Sequence, residues 1–405
     1  MAPESEPAGR DLVGFKYVDR LVPMLERLHD VGCARDRAGN RKLHYDQYCL
    51  LVLLALFNPV VRSLRALQQA STLGKVQRRL GCPRTSLGAL SEAAAVFDPA
   101  RLEGVIGELL KDLPRARSIA GDAVPRVLTA VDGSVVRTIA GLAEAAYLTD
   151  KNGRPHCGWR FHTHFEIDRG VPVRMDATTA LNSGKTEEKN QLRGRLEPDR
   201  CYVLDRWFAE FVLWNDIVHA QSSYVCRIRD NSNLGDVVDR RPVSDAAKRA
   251  GVIDDAVVKL GYKDKRPDHP VRVVQVAATP HRKRGGRKGD TAGPSCDGVI
   301  RLATDLLDVP AEVVADIYRR RWLIELFFRF FKHVLGCRHL VSRDPAGLQI
   351  QAYCAIIACL LIHLWTGGRP TLRSYEMICF YLSGWADLDE LTAHLEKLAA
   401  AKKPH

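Results

Sequence analysis

Tyr318-Arg-Arg-Arg-Trp-Leu-Ile-Glu-Leu-Phe-Phe-Arg-Phe-Phe-Lys332 is the stretch from which the rest of the chain is read. At about 100° per residue, Tyr318, Arg321, Glu325 and Lys332 fall within one narrow stripe of a helix. Trp322, Arg329 and His333 widen that stripe on one side. Leu323, Ile324, Leu326, Phe327, Phe328, Phe330 and Phe331 fill the remainder, so the helix packs deeply and keeps one charged edge open. A carboxylate flanked by cations on such an edge suits a divalent metal, with its neighbours on phosphates. The plain alternative is an Arg321–Glu325 pair at i, i+4, worth roughly a few tenths of a kcal/mol. The stretch alone leaves both open.

Working outward, the helix spans residues 311–334 after Val309-Pro310. Further helices fill 346–397, with a break at Gly367-Gly368-Arg369-Pro370. Upstream, 230–305 is β-rich: Ala256–Tyr262, Val271–Ala278 and Gly298–Leu306 read as strands between polar turns. Pro280–Gly289 holds five Lys/Arg in ten residues, among them Arg282, Lys283 and Arg284. That run is either a solvated hairpin tip or a flexible grip on phosphates.

Earlier still lies an alternation of strands and helices. Val127–Ile139 reads as a buried strand with an acid, Asp132, at its middle. Gly158–Ile167 alternates apolar and polar residues, Asp168-Arg169-Gly170 is a turn, and Val171–Thr179 returns as a hairpin. Thr186–Arg195 is a polar helix, Cys201–Leu204 a short strand ending at Asp205, Phe208–His219 a helix and Ser223–Ile228 a strand. A carboxylate inside an apolar strand is expensive unless paired or metal-bound. Gly133 beside it permits close approach of another backbone. Asp205 sits at a strand end, where sites gather in α/β sheets. A cap or a turn would explain either aspartate singly.

Other acids and histidines compete less well. Asp168 lies in a turn, Asp176 on an outer strand, and Asp216 within a helix where it could pair with His219. His162 and His164 share one strand face and read as polar surface residues rather than a metal pair.

Residues 1–115 read as helical. Tyr45–Phe57 is a strongly apolar helix stopped by Asn58-Pro59. Arg62–Ser71 is amphipathic with Ser63 as its cap, and Thr85-Ser86 starts another helix over Leu87–Phe97. Arg62, Arg65, Lys75, Arg78, Arg79 and Arg84 would suit DNA-backbone contact, or else line a solvated face.

The 405 residues carry a net charge of +12, which favours a polyanionic partner. Eleven cysteines are scattered singly without a CxxC pair. That argues against zinc and for reduced core thiols in a cytosolic chain. The N-terminus does not read as a signal peptide, and the apolar runs Cys49–Val61 and Cys354–Trp365 read as buried helices too short to span a bilayer.

Asp132, Asp205 and Glu325 together fit phosphoryl transfer. Two divalent cations about 4 Å apart bracket a scissile phosphate in such sites, and a few carboxylates suffice for hard Mg2+.

Three motifs resemble those of insertion-sequence-4-type DDE transposases: Asp132-Gly133-Ser134; Leu204-Asp205-Arg206-Trp207-Phe208, close to that family's Asp-Arg-Gly-Tyr-Phe; and Tyr318, Arg321, Glu325 and Lys332, which meet its Y-x2-R-x3-E-x6-K signature at every spacing. The resemblance covers most of 40–360 in organisation. It implies an α/β chain: an RNase H-like mixed sheet with flanking helices (121–229 and 306–345), interrupted by a β-rich insertion (230–305), plus a helical DNA-binding region (1–120) and a helical C-terminal region (346–405). Asp132, Asp205 and Glu325 would hold two Mg2+ ions, with Mn2+ able to substitute. Tyr318, Arg321 and Lys332 would hold DNA phosphates, with Arg329 and the basic run as further contacts. The implied reaction is cleavage at the ends of a mobile element and strand transfer into target DNA. The implied partners are terminal inverted repeats, target DNA and a second copy of the chain on paired ends, with no membrane. Two departures stand out. Trp207 replaces the family's glycine, and the insertion offers Tyr262 but no tryptophan for stacking a flipped base, which leaves Trp322 as the substitute. A host-adopted nuclease and a catalytically idle DNA-binding protein are the alternatives.

Overall fold

The computed structural model describes residues 16–31, 36, 39, 41–114, 120–138, 146–149, 155–180, 184–262, 265–278, 298–337, 342 and 344–400. Six helices come first: α1 (Lys16–Glu26), α2 (Tyr45–Phe57), α3 (Leu64–Ala70), α4 (Gly74–Leu80), α5 (Leu87–Val96) and α6 (Arg101–Asp112). Helix α2 has the expected bounds. Ser63 and Ser86 cap α3 and α5, each hydroxyl accepting a backbone N–H at 3.1 Å.

The sheet begins with β1 (Val127–Thr138), β2 (Ala146–Thr149), β3 (Pro155–Glu166) and β4 (Val171–Thr179). Helix α7 (Glu188–Arg193), β5 (Arg200–Leu204), α8 (Phe211–His219) and β6 (Ser223–Arg227) follow. Along β4-β3-β1-β5-β6, the strands β1, β5 and β6 are parallel while β3 is antiparallel to β1 and β4. This is the RNase H-like core the motifs implied. The short β2, absent from the sequence reading, pairs with the first residues of β3.

Residues 230–305 contain β7 (Val237–Arg240), α9 (Asp245–Arg249), β8 (Val252–Val258), β9 (Val271–Ala277) and β10 (Val299–Thr304). They extend the same sheet, because β10 pairs antiparallel with β6 and continues into β9, β8 and β7. Arg272 and Asp255, both buried, form a bidentate pair at 2.7 and 2.6 Å. The same guanidinium donates to the carbonyls of Leu306, Leu307 and Val309. The loop entering the next helix is thereby tied to β8 and β9.

The helix expected over 311–334 is divided into α10 (Ala311–Arg320), α11 (Trp322–Arg329) and a π-helical turn, Phe330–Val334. At the first junction, Arg321 N–H and Ile324 N–H bond to carbonyls only three residues back, which tightens the coil. Leu335 N–H reaches five residues back to Phe330, which widens it. A uniform 3.6-residue stripe is therefore interrupted twice, at Arg321 and again after Arg329. Phe327 packs at a tilt against Phe165 of β3, and Phe331 meets Phe161 of β3 edge-on.

Helices α12 (Pro345–Thr366), α13 (Leu372–Leu382) and α14 (Leu388–Ala400) close the chain. The expectation that this apolar run is too short to span a bilayer is corrected. Helix α12 has 22 residues and is apolar enough to cross one, but it is almost wholly buried inside the protein. It lies on β4, where the Gln349 side chain accepts from Ala177 N–H at 2.7 Å and donates to Met175 O at 2.6 Å. On its other side it joins α2, α5 and α6 in one hydrophobic core.

Candidate active site

Parallel register brings the two aspartates together. Ala130 lies opposite Val203, so Asp132 and Asp205, each two residues further on, come next on neighbouring strands. Neighbouring strands are about 4.8 Å apart. Pairing of β1 with β5 ends at Ala130 while pairing with β3 continues to Thr138, so the sheet opens at Asp132.

Asp132 Oδ1 accepts from Gly133 N–H at 2.8 Å, and Oδ2 lies 3.5 Å from Arg321 Nη1. Burial pushes the Asp132 carboxyl up to about 7; Arg321 opposes the shift, and Asp205 and Glu188 reinforce it. Asp205 Oδ1 accepts from Trp207 N–H at 2.8 Å, capping the turn Arg206–Phe208. Glu325 joins through the same arginine: Arg321 Nη2 donates to Glu325 Oε1 at 2.6 Å. Arg321 thus bridges the strand acid and the helix acid, and the i, i+4 pair and the site are one arrangement.

The other signature residues lie close by. The Tyr318 ring sits 5.9 Å from the Arg321 guanidinium carbon. Lys332, delivered by the π turn, donates to Val135 O of β1 at 2.8 Å. Trp322, Arg329 and His333 are exposed. Arg282, Lys283 and Arg284 lie outside the described residues.

Two further residues adjoin these strands and escaped the sequence reading, with Glu188 on the far face of β1 from the Asp132 side chain. Glu188, on α7, is buried, and its Oε1 accepts from Arg160 Nη1 at 2.6 Å. Burial raises its carboxyl, Arg160 opposes, and Asp205 adds to the rise. A Cβ placed on Gly133 would lie 1.9 Å from Glu188 Oε1. The close approach at Gly133 is therefore made by a carboxylate side chain, not by a backbone. No local pattern marks Glu188, since it sits in an ordinary polar helix. Arg227 is the second. Leu204 pairs with Cys226, which sets Arg227 beside Asp205. Its buried Nε and Nη2 make no hydrogen bond, although Nη2 lies 3.8 Å from Asp230.

The competing groups are engaged elsewhere. Asp176 is buried between Arg174 and Arg195, each at 3.5 Å. Asp216 pairs with Arg193 at 3.0 Å rather than with His219, which meets Asp268. His162 and His164 are buried, not on the surface as expected. Burial first, with nearby arginines, lowers them to about 4 and about 3, so both rings stay neutral. His162 Nε2 is 2.8 Å from Thr178 Oγ1, and the His164 ring meets Tyr202 edge-on.

The donor set fits a hard divalent cation. Its oxygens all come from carboxylates, and one of them, Asp132, is held at a position where burial disfavours its charge. A cation there would offset that cost.

A family model described as the transposase DDE domain matches residues 124–361. Among curated relatives, the protein y4zB of Sinorhizobium fredii, provisionally named a transposase, is 29% identical over 214 residues, which is 53% of this chain and 54% of that one. The "probable transposase for insertion sequence element IS5377" of Geobacillus stearothermophilus is 26% identical over 57% of both chains. A Synechocystis protein provisionally named the transposase of insertion sequence element IS4SA is 39% identical over 56 residues, 14% of this chain and 17% of that one. The chain spans little more than half the length of the first two relatives. Among solved structures, a piggyBac transposase synaptic complex with hairpin DNA aligns at TM-score 0.44 and 10% identity, covering 97% of this chain and 82% of that one. Families of this kind generally use divalent metal ions. The matched span covers more than half of the chain and contains Asp132, Asp205 and the helix bearing Glu325: the chain belongs to the transposase DDE domain family.

Proposed function

We propose that this chain is a DNA transposase that cuts at the ends of a mobile element and joins the freed ends to target DNA. One observation carries the reading: Asp132 and Asp205 share a register at the opening of the sheet, and Arg321 links Asp132 to Glu325. These three carboxylates would hold two Mg2+ ions, or Mn2+ in their place. When bound, the ions would supply Lewis-acid activation of water or a 3′-hydroxyl and stabilisation of the leaving oxygen.

The chain's own groups would do the rest. Arg321 presents a planar guanidinium suited to two phosphate oxygens, and Lys332 a point charge. Arg227, with N–H groups that make no hydrogen bond, adds a third cation on the Asp205 side. Asp132 and Asp205 draw their rigidity from strands buried on both faces, which fixes a phosphate relative to its attacking group. Trp322, exposed next to Arg321, offers a stacking surface for an unpaired base. Arg62, Arg65, Lys75, Arg78, Arg79 and Arg84 lie on or beside the N-terminal helices and would grip duplex phosphates. Arg282, Lys283, Arg284 and Arg329 would extend that grip. The partners would be terminal inverted repeats, target DNA and a second copy of the chain on the paired end. The buried free thiols suit a reducing cytosol.

The test uses purified protein, Mg2+ and the repeats flanking the reading frame. Asp132→Asn should abolish end cleavage and leave repeat binding intact. Undiminished cleavage by that variant would remove the site assignment. Cleavage without strand transfer would leave a nuclease, and binding without cleavage by the wild type would leave a DNA-binding protein.

A further inference from the structure

We propose that His29, His44 and Asp30 form a metal site of their own, built for a borderline divalent ion of the Zn2+ class, that clamps the end of α1 to the start of α2. The three residues share no element with Asp132, Asp205 or Glu325, and the inference does not rest on the transposase reading. The scattered cysteines argue against a thiolate zinc site; this one uses no thiol.

One nitrogen from each ring and one oxygen of Asp30 lie within 4.8 Å of one another. Ligands about 2.0–2.2 Å from a tetrahedral zinc stand roughly 3.3–3.6 Å apart, so side-chain rotation alone would close the set. The rings lie face to face, with centroids 3.7 Å apart and 10° between planes, and each would tilt toward the ion. Both are already held through Nδ1. His29 Nδ1 lies 2.9 Å from Oδ1 of Asp46, a buried carboxylate. His44 Nδ1 lies 3.3 Å from the backbone carbonyl of His29. A carboxylate or a carbonyl on one ring nitrogen is the outer support of a metal-ligating histidine, and it assigns Nε2 of each ring to the ion. Asp30 Oδ1 stands 3.5 Å from His44 Nδ1 on a side chain that is 83% exposed, so it can swing to the ion without repacking.

The backbone beneath is rigid. Leu25 near the end of α1, and Leu43 and Tyr45 at the start of α2, are buried in one core. Two imidazoles and a carboxylate favour Zn2+, Co2+ or Ni2+ over Mg2+, which takes oxygen ligands. Surface ion pairing would explain either histidine–aspartate contact singly. It gives no reason for both rings and both acids to gather at one helix junction.

The experiment titrates Zn2+ calorimetrically into the untagged full chain, with Mg2+ in excess to fill the carboxylate site, and adds a thermal melt of each variant. Wild type should bind one Zn2+ and melt higher with it. His29→Ala and His44→Ala should lose both effects. Asp46→Asn should bind roughly 10- to 100-fold more weakly, and Asp132→Asn should bind as wild type does. No binding by wild type, or wild-type affinity in both histidine variants, would overturn the proposal. Loss in Asp132→Asn with retention in the histidine variants would place the ion on the strand acids and overturn it equally. If neither histidine variant folds, the exposed Asp30→Asn decides: unchanged affinity overturns the proposal.

Discussion

Asp132 is the residue where burial and function pull hardest against each other. Its carboxyl titrates at about 7 in the fold against an ordinary 3.8. Folding therefore favours its protonated form. That contribution is complete below about pH 4 and is lost as pH rises through 7. Asn cannot ionise, so Asp132→Asn should melt higher than wild type in chelator at pH 8, by roughly 1–3 kcal/mol in stability, with the gain fading toward pH 5. Thermal denaturation at the two pH values checks this; a gain that is larger at pH 5 would reverse the sign of the argument. Gly133 makes a second prediction. Gly133→Ala would drive a methyl into Glu188 Oε1 and disturb the Arg160 pair, costing about 1–3 kcal/mol as overpacking does. The same substitution in a Glu188→Ala background should cost far less. A double-mutant cycle from denaturant melts reads the difference, and additive costs would mean the two residues are not in contact.

At the scale of elements, the Asp255–Arg272 pair connects the sheet extension to the signature helix. Asp255→Ala leaves Arg272 buried with carbonyl partners but no counter-charge. It should cost about 3–5 kcal/mol in denaturant unfolding. Cleavage should weaken too, since the loop 306–309 that Arg272 holds leads directly into α10. Strand β3 sets the acid limit. His162 and His164 are depressed in the fold to about 4 and about 3, so their contribution is present above the ordinary 6.5 and is lost as pH falls toward those values. His164→Asn should flatten the stability-against-pH curve between about pH 6 and pH 4, read by denaturant midpoints; an unchanged slope would mean the ring is not held neutral.

For the whole molecule, one hydrophobic core runs from the N-terminal helices through α12 to the underside of β4. The basic residues of α3 and α4 are therefore fixed relative to the acids rather than carried on a tether. With a net charge of +12, duplex binding should weaken steeply with salt. Arg78→Ala with Arg79→Ala should reduce the slope of log affinity against log salt by about 0.9 for each phosphate no longer neutralised, by fluorescence anisotropy. A lower affinity with an unchanged slope would mean these side chains touch no phosphate.

Much of this was legible in the chain itself. Spacing determined α2, the β-β-β-α-β-α-β run and the i, i+4 pairing of Arg321 with Glu325, because those follow from local periodicity of 2 and 3.6 residues. Asp132 and Asp205 stood out because an acid in or ending an apolar strand has few cheap explanations. What adjoins them was decided only by tertiary structure. Register across β1, β5 and β6 set Asp132, Asp205 and Arg227 side by side, and no residue reports its register alone. The packing of α7 on β1 set an unremarkable glutamate, Glu188, directly against Gly133. The break at Arg321 falls where the helix meets Asp132 of β1 and the π turn at Phe330 where its rings meet β3, so Lys332 met a strand carbonyl that the 3.6-residue stripe does not foretell. Local hydrogen bonds follow from adjacent residues; shared burial of charge follows from which surfaces meet.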